Sequence, residues 1–275
     1  MRNIGRTLRI VVLAVFVVPV AIKAVLWSFE PPRRWQDGRW SSAGILPPAA
    51  SDAEPRVVVF AARTGGWRSI FAVHTWIVVK PANADEYTRY EVTGFGEPIR
   101  VNRLAPDAFW ISYRPDTVAD IHGPLAGEAI PKIEAAIKNY PFAQYGSYRM
   151  WPGPNSNTFV ATVLRAVPEL AVAMPPEAIG KDFRADGAVV GLTESRTGVE
   201  LSLWGLLGLK IGKVEGVELN LLTLVAGLDA LHPAVKLPAF GRIGLDRFAA
   251  PSAIAGSQEA PSGTVDRHVP TQEPR

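Results

Sequence analysis

Ser156 and His74 are the two side chains whose types and settings could together carry out nucleophilic chemistry. Ser156 lies in Trp151-Pro-Gly-Pro-Asn-Ser-Asn-Thr-Phe-Val160, a loop that runs into an apolar-periodic segment, Ala161 to Leu170, with the spacing of a helix. Pro and Gly close the loop and an Asn or Ser can cap, so Ser156 falls at or near the first helical turn. Backbone N–H groups there lack intrahelical partners and the positive end of the helix dipole is close, a setting that suits a nucleophile or an oxyanion. An ordinary helix cap uses the same residues, so the motif has a purely structural reading beside the chemical one.

His74 lies far upstream in Phe71-Ala-Val-His-Thr-Trp-Ile-Val-Val79, an apolar and aromatic run that reads as a strand. Alternation puts Ala72, His74, Trp76 and Val78 on one face and Val73, Thr75, Ile77 and Val79 on the other. The sequence has four histidines. His268 lies in a polar tail, His122 precedes Gly-Pro and His232 adjoins Pro233, so His74 is the one on an expected central strand and the best base. A hydrogen-bonded core histidine is the competing reading.

A strand histidine followed much later by an Asn-Ser-x-x-Phe helix start resembles the circularly permuted papain-like fold of NlpC-type peptidase relatives and lecithin:retinol acyltransferase-like proteins. Asn155, Ser156 and Phe159 match that pattern, with serine where the family has its cysteine. The wording His-Thr-Trp-Ile, Tyr-Glu-Val-Thr-Gly-Phe-Gly, Pro-Gly-Pro-Asn-Ser-Asn-Thr-Phe and Ile179-Gly-Lys-Asp-Phe183 more closely resembles an uncharacterised bacterial family, domain of unknown function 3750, over roughly Arg56 to Gly244. The closer resemblance implies no activity. The wider one implies that the histidine takes the nucleophile's proton and that a third polar group, from the next strand, orients the ring. Tyr87 to Thr93 is that strand and Glu91 is its only carboxylate, on the face opposite to Tyr90 and Val92; Arg89, Thr88 and Thr93 are the other polar choices. Glu91 as a solvent-facing strand residue is the alternative. The aromatics of Tyr140–Tyr148, so dense beside the candidate nucleophile, could wall a substrate cleft, and Trp76, Tyr145, Tyr148, Asn155 and Asn157 are the expected substrate-binding residues. The Tyr140–Tyr148 aromatics could equally cover a small core.

Serine changes the chemistry. A thiol is partly ionised near neutral pH and more so at a helix N-terminus, whereas a hydroxyl depends wholly on its general base. Cysteine is absent from all 275 residues, which excludes a thiol nucleophile and cysteine-based metal sites. The dispersed histidines offer no metal-ligand spacing, no glycine-rich phosphate loop follows a strand, and no cofactor is expected. A net charge of +3 with scattered Lys and Arg gives little support to nucleic-acid binding.

The elements that must position these residues begin with a membrane anchor over 1–29. Arg2, Arg6 and Arg9 precede an apolar run from Ile10 to Ile22 that resumes after Lys23 to Trp27 and Phe29, long enough to span a bilayer. No small-x-small cleavage site follows, which favours an uncleaved signal-anchor over a signal peptide. The arginines predict a single pass through a bacterial inner membrane, cytoplasmic N-terminus, with the bulk extracytoplasmic. Residues 30–55 read as a linker. An α+β papain-like domain over 56–174 has strands at Arg56–Ala61, around His74 and at Tyr87–Thr93, a possible fourth at Phe109–Tyr113, and helices at Gly127–Tyr140 and after Asn155. A β-rich extension over 175–248 has strands at 188–192, 199–203, 206–211 and 217–224. Its leucine-rich stretches read mostly as core, with contact to the membrane surface as the minor reading. The tail, 249–275, has a disordered composition.

Two functions remain open. One is a membrane-anchored hydrolase or acyltransferase acting on an amide or ester in an envelope peptide or lipid, with Ser156 as nucleophile and His74 as base. The other is a non-catalytic envelope binding or scaffold protein on the same fold. The expected partners are the lipid bilayer and that peptide or lipid, not nucleic acid.

Overall fold

The computed structural model describes residues 2–31 and 33–244, and the expected disordered tail lies outside them. The architecture is mixed helix and sheet, with two antiparallel sheets and an apolar N-terminal helix. Helix α1 (Arg2–Val12) continues through a π-helical turn (Leu13–Val17) into α2 (Val18–Ser28). Pro19 accounts for the turn: it lacks an N–H and its ring crowds the preceding turn, so the helix widens there. The stretch Gly5–Ser28 is 24 residues, and an 18-residue window within it has a mean hydropathy of 2.7. At 1.5 Å per residue the whole stretch is about 36 Å long, enough to cross a hydrocarbon core of about 30 Å.

The first sheet comprises β1 (Arg56–Arg63), β2 (Val73–Lys80), β3 (Thr88–Val92), β4 (Ile99–Val101) and β5 (Asp116–His122), in the order β4-β3-β2-β1-β5. β1 and β2 are its centre and are buried on both faces. Val57, Val59, Ala61, Val73, Ile77 and Val79 form one core with helices α3 (Pro124–Lys138) and α4 (Ser156–Ala166). Val58, Phe60, Ala62, Trp76 and Val78 form a second core on the opposite face with Trp110 and Ile111.

That second core corrects two sequence expectations. Phe109–Tyr113 is a tight turn rather than a strand, with a Trp110↔Tyr113 bridge and positive φ at Ile111 and Ser112. Residues 30–55, expected as a linker, are partly laid over the sheet: Trp40, Ile45 and Leu46 pack on the core. Buried Asp107 fastens the segment by accepting from Ser42 Oγ (2.7 Å), Ile45 N (2.6 Å) and Leu46 N (3.2 Å). Apolar side chains spaced among prolines gave the segment something to bury, and one carboxylate satisfies its turn.

The second sheet is a meander of β6 (Val190–Leu192), β7 (Gly198–Leu203), β8 (Leu207–Gly212), β9 (Gly216–Leu221), β10 (Leu224–Asp229), β11 (Ala234–Leu237) and β12 (Gly241–Gly244). The single strand expected over 217–224 is two, because Leu222 and Thr223 turn the chain at positive φ. The sheet's polarity is the reverse of the expected one. Glu200, Ser202, Lys210, Glu218, Asn220 and Lys236 are buried, while most of the leucines between them are exposed.

The buried face is an ion network. Glu200 lies opposite Lys210, which lies opposite Glu218. Lys210 Nζ meets Asp182 (2.7 Å), Glu194 (2.7 Å) and Glu200 (3.4 Å). Arg165 of α4 joins Glu194 (2.7 Å) and Glu200 (2.6 Å), and Lys181 joins Asp182 (2.8 Å) and Glu218 (2.6 Å). Asp182, Glu194 and Glu200 have ligand atoms within 4.8 Å of one another, yet Lys210 already neutralises that cluster. Burial disfavours the Lys210 ammonium, but the three carboxylates outweigh it and hold its pKa well above the usual value. Removing one partner leaves buried carboxylates uncompensated, so Lys210→Ala should lower unfolding free energy by about 3–5 kcal/mol. Chemical denaturation checks this; a loss of less than about 1 kcal/mol would mean the network is hydrated and weak.

Candidate functional site

Asn155 is the N-cap of α4. Its Oδ1 accepts from the backbone N–H of Asn157 (2.9 Å) and Thr158 (3.2 Å), and Thr158 Oγ1 accepts in return from the Asn155 amide (3.1 Å), a reciprocal capping box. Asn155 Nδ2 donates to the carbonyls of Met150 (3.1 Å) and Ile179 (3.0 Å). Asn157 Oδ1 accepts from Thr75 Oγ1 (2.9 Å), and its Nδ2 donates to the carbonyls of Val73 (2.9 Å) and Ile179 (2.7 Å). Both asparagines line the cavity described below, but their polar atoms are engaged, those of Asn157 with β2 and Ile179 and those of Asn155 with the helix start, Met150 and Ile179.

Ser156, between them, is the first residue of α4 and is 4 % exposed. The Ser156 amide has no acceptor among the described residues, as expected of an N-terminal helical N–H. Ser156 and Tyr148 both line the cavity described below. Burial raises the Tyr148 phenol, opposed by nearby Arg68 and by Ser156.

His74 rises from the other face of β2. Its Nε2 is 2.9 Å from Glu91 Oε2, and its ring is stacked on Trp110 with centroids 3.8 Å apart and planes 17° apart. Arg89, two residues before Glu91 and therefore on the same strand face, donates to the same oxygen at 2.8 Å. The Arg89 guanidinium also lies over the Trp76 ring, 4.1 Å from its centroid. Burial pushes the Glu91 carboxyl up, but the hydrogen bond with His74 and the charge of Arg89 outweigh it and hold it at about 2. Burial lowers the His74 pKa against the pull of Glu91, so the imidazole is neutral at neutral pH. With Nε2–H donated to Glu91, the Nδ1 lone pair is the basic atom.

His74 and Ser156 open onto one cavity of about 850 Å³. α4 covers the Val73–Thr75 face and His74 occupies the opposite one, so the two line the cavity from opposite faces of β2. The β2–β3 ladder ends at Ile77↔Tyr90, and beyond it Thr93 and Gly94 join Val73 and His74 in the wall. No hydrogen bond joins His74 to Ser156 among the described residues. The rest of the wall is largely apolar, including Trp35, Phe71, Trp110, Ile111 and Trp151, with Arg33, Arg34 and Arg68 among the lining residues. Val20 of α2 contributes on one side, and the β9–β10 hairpin tip, Leu222 to Leu224, on another. Trp151 Nε1 donates to Thr223 Oγ1 at 3.0 Å, tying that tip to the loop before Ser156.

Of the residues expected at the site, His74 and Glu91 are bonded, and Ser156 and Tyr148 share the cavity wall. Trp76 and Tyr145 are not among the lining residues: Trp76 is fully buried with Nε1 donating to the Pro106 carbonyl, and Tyr145 is 77 % exposed. Trp110 and Arg68 went unnoticed in the sequence, since nothing local links them to His74 or Tyr148. Arg89 had a signal in its i, i+2 relation to Glu91.

Residues 54–183 match the family described as a protein of unknown function (DUF3750). The resemblance read from the sequence is therefore shown for an uncharacterised family, over the first sheet, both following helices and the Asn155–Asn157 node. The match stops before the meander, short of the expected Gly244. No curated protein and no solved structure matches the chain.

The ionisations make the fold acid-sensitive. His74 has a lowered folded pKa, so the unfolded chain binds more protons below the ordinary 6.5 and stability falls as pH drops from there. Glu91, at about 2 against an ordinary 4.5, contributes stability above 4.5 that is lost as pH falls towards 2. Glu91→Gln should be less stable at neutral pH and should lose the steeper decline below about pH 4.5. Urea midpoints across this range measure it; an unchanged slope in the variant would assign the decline to other carboxylates.

Proposed function

We propose that this protein is a membrane-anchored acyl-transfer enzyme of the cell envelope, a hydrolase or acyltransferase acting on an ester or amide. The observation that carries this reading is the pairing of a neutral, Glu91-oriented His74 with a helix-start Ser156 on one largely apolar cavity. His74 Nδ1 takes the Ser156 hydroxyl proton, directly or through one water, as Oγ attacks the carbonyl carbon. The free Ser156 N–H donates to the developing oxyanion. Collapse breaks the bond to the leaving group, which receives the proton from His74, and water or a second alcohol then releases the acyl group. Glu91, ionised and fixed by Arg89, stabilises the imidazolium formed in between.

The order of parts supports a distant relation to permuted papain-like proteins: a strand histidine, a carboxylate on the next strand and a later helix-start nucleophile. The N-terminal helix supports single-pass anchoring in a bacterial inner membrane, with Arg2, Arg6 and Arg9 retained in the cytoplasm and the body outside. A non-catalytic binding role is the second reading. It is favoured by the lack of a His74–Ser156 hydrogen bond among the described residues.

A fluorophosphonate probe separates the two. The acyl-transfer reading expects covalent labelling at Ser156 that Ser156→Ala abolishes and that His74→Ala slows by about 10²–10⁴-fold. Ser156→Cys should react with iodoacetamide faster than a cysteine placed at exposed Glu128, since a helix N-terminus favours thiolate. An unlabelled wild-type chain together with an inert Ser156→Cys thiol would leave the binding role.

A further inference from the structure

The outward face of the meander sheet is a continuous aliphatic surface. The strand registers line up Leu192, Val199, Ile211, Val217, Leu228, Val235 and Ile243 in an unbroken row across all seven strands. Every member of that row is between 43 and 59 % exposed. A second row, Val190, Leu201, Leu209 and Leu219, runs beside it, each residue 41 to 65 % exposed. The alternate residues carry the buried ion network, so the sheet presents hydrocarbon outward and charge inward. That polarity is the reverse of a solvated antiparallel sheet and the pattern of a strand whose outer solvent is lipid.

We propose that this face rests in the acyl region of the membrane, as a second attachment beside the N-terminal helix; the proposal rests on the anchoring reading above. Three observations select lipid as the occupant. The π-helical turn Leu13–Val17 of the apolar helix contacts β10, so helix and sheet form adjoining parts of one apolar surface. The helix is itself exposed at Ile10, Leu13, Val17, Ile22 and Val25. The sheet rows contain no charge, amide, hydroxyl or aromatic ring, whereas a protein partner's interface has about one hydrogen bond per 100–200 Å² and is enriched in aromatics and Arg. Trp204, 72 % exposed in the β7–β8 turn, supplies the amphipathic ring favoured at a membrane–water boundary.

The native lack of cysteine makes the test direct. The full chain is reconstituted in phosphatidylethanolamine–phosphatidylglycerol vesicles, with single bimane-labelled cysteines replacing Leu209, Ile211, Val217, Val17 or Glu128. Sheet positions should be quenched by brominated acyl chains and shielded from aqueous iodide, as Val17→Cys should be. Glu128→Cys on α3 should show the opposite. Iodide quenching at Ile211→Cys equal to that at Glu128→Cys, with Val17→Cys still quenched by lipid, overturns the sheet attachment and leaves the anchor standing. Shielding from both quenchers, with the unlabelled Ile211→Cys chain forming an interchain disulfide under added copper–phenanthroline oxidant, would identify a second copy as the occupant and also overturn it. Lipid quenching at the sheet but not at Val17→Cys would support the sheet attachment while removing the anchor. A chain bearing Leu209→Glu and Ile211→Glu guards against label artefacts: it should lose lipid quenching at Val217→Cys while remaining vesicle-bound through the helix.

Discussion

Asn157 is the constraint through which the remaining parts are joined. Its amide is 3 % exposed, accepts from Thr75 and donates to the carbonyls of Val73 and Ile179. Those partners belong to the central strand and to the segment that leads into the second sheet, while Asn157 itself is in the first turn of α4. An aspartate would turn a carboxylate towards two carbonyls, and a leucine would remove the acceptor of the buried Thr75 hydroxyl and a donor to the Val73 and Ile179 carbonyls, an unsatisfied buried group costing about 1–3 kcal/mol. Asn155 applies the same logic one residue upstream of Ser156. The serine is thus fixed from both sides by residues whose own polar groups are spent.

The two sheets use opposite physics. The first is a hydrophobic layer covered on each face, and its stability comes from aliphatic burial. The second meets the body through alternating charges, Glu200 against Lys210 against Glu218, and buried ion networks contribute little net stability compared with hydrocarbon. Their contribution is to register. A slip of one residue along any of these strands would turn its charges to the aliphatic face and its leucines towards Arg165 and Lys181. Such a sheet is held in one alignment by penalties on every other.

Much of the site was legible because strand alternation and helix capping are local rules. The face of His74, the location of Glu91 away from Tyr90 and Val92, and the helix start at Ser156 all follow from neighbours within four residues. What lay beyond the sequence depended on distant contacts. β5 contains Asp116, Thr117, Asp120 and His122, and its polar pattern reads as loop; it forms a strand because Arg56 on β1 pairs with Asp120 at 2.5 Å. The second sheet's alternation was visible, but a period of two states only that faces differ, and hydrophobicity then assigned the leucines inward. Arg165, on a helix outside that sheet, decides otherwise. Likewise nothing near Trp110 shows that it will stack on an imidazole 36 residues away in sequence, since one of its two faces depends on the chain reversal at Ile111 and Ser112.

In the acyl-transfer reading, serine in place of cysteine changes where the electrostatic work falls. A thiolate–imidazolium pair can exist before substrate arrives, whereas a hydroxyl and a neutral imidazole become charged only as the carbonyl is attacked. A largely apolar cavity penalises that separation unless opposite charge is already in position. Glu91 meets that need for the imidazolium because Arg89 keeps it ionised in a buried place, and the Ser156 amide does so for the oxyanion. Arg89 must also be prevented from acting on His74 itself, since its charge lowers the imidazole's affinity for a proton. Its hydrogen bonds go to Glu91 and to the carbonyl of Ala105, so the carboxylate that His74 contacts lies beside the cation and opposes its effect on the imidazole.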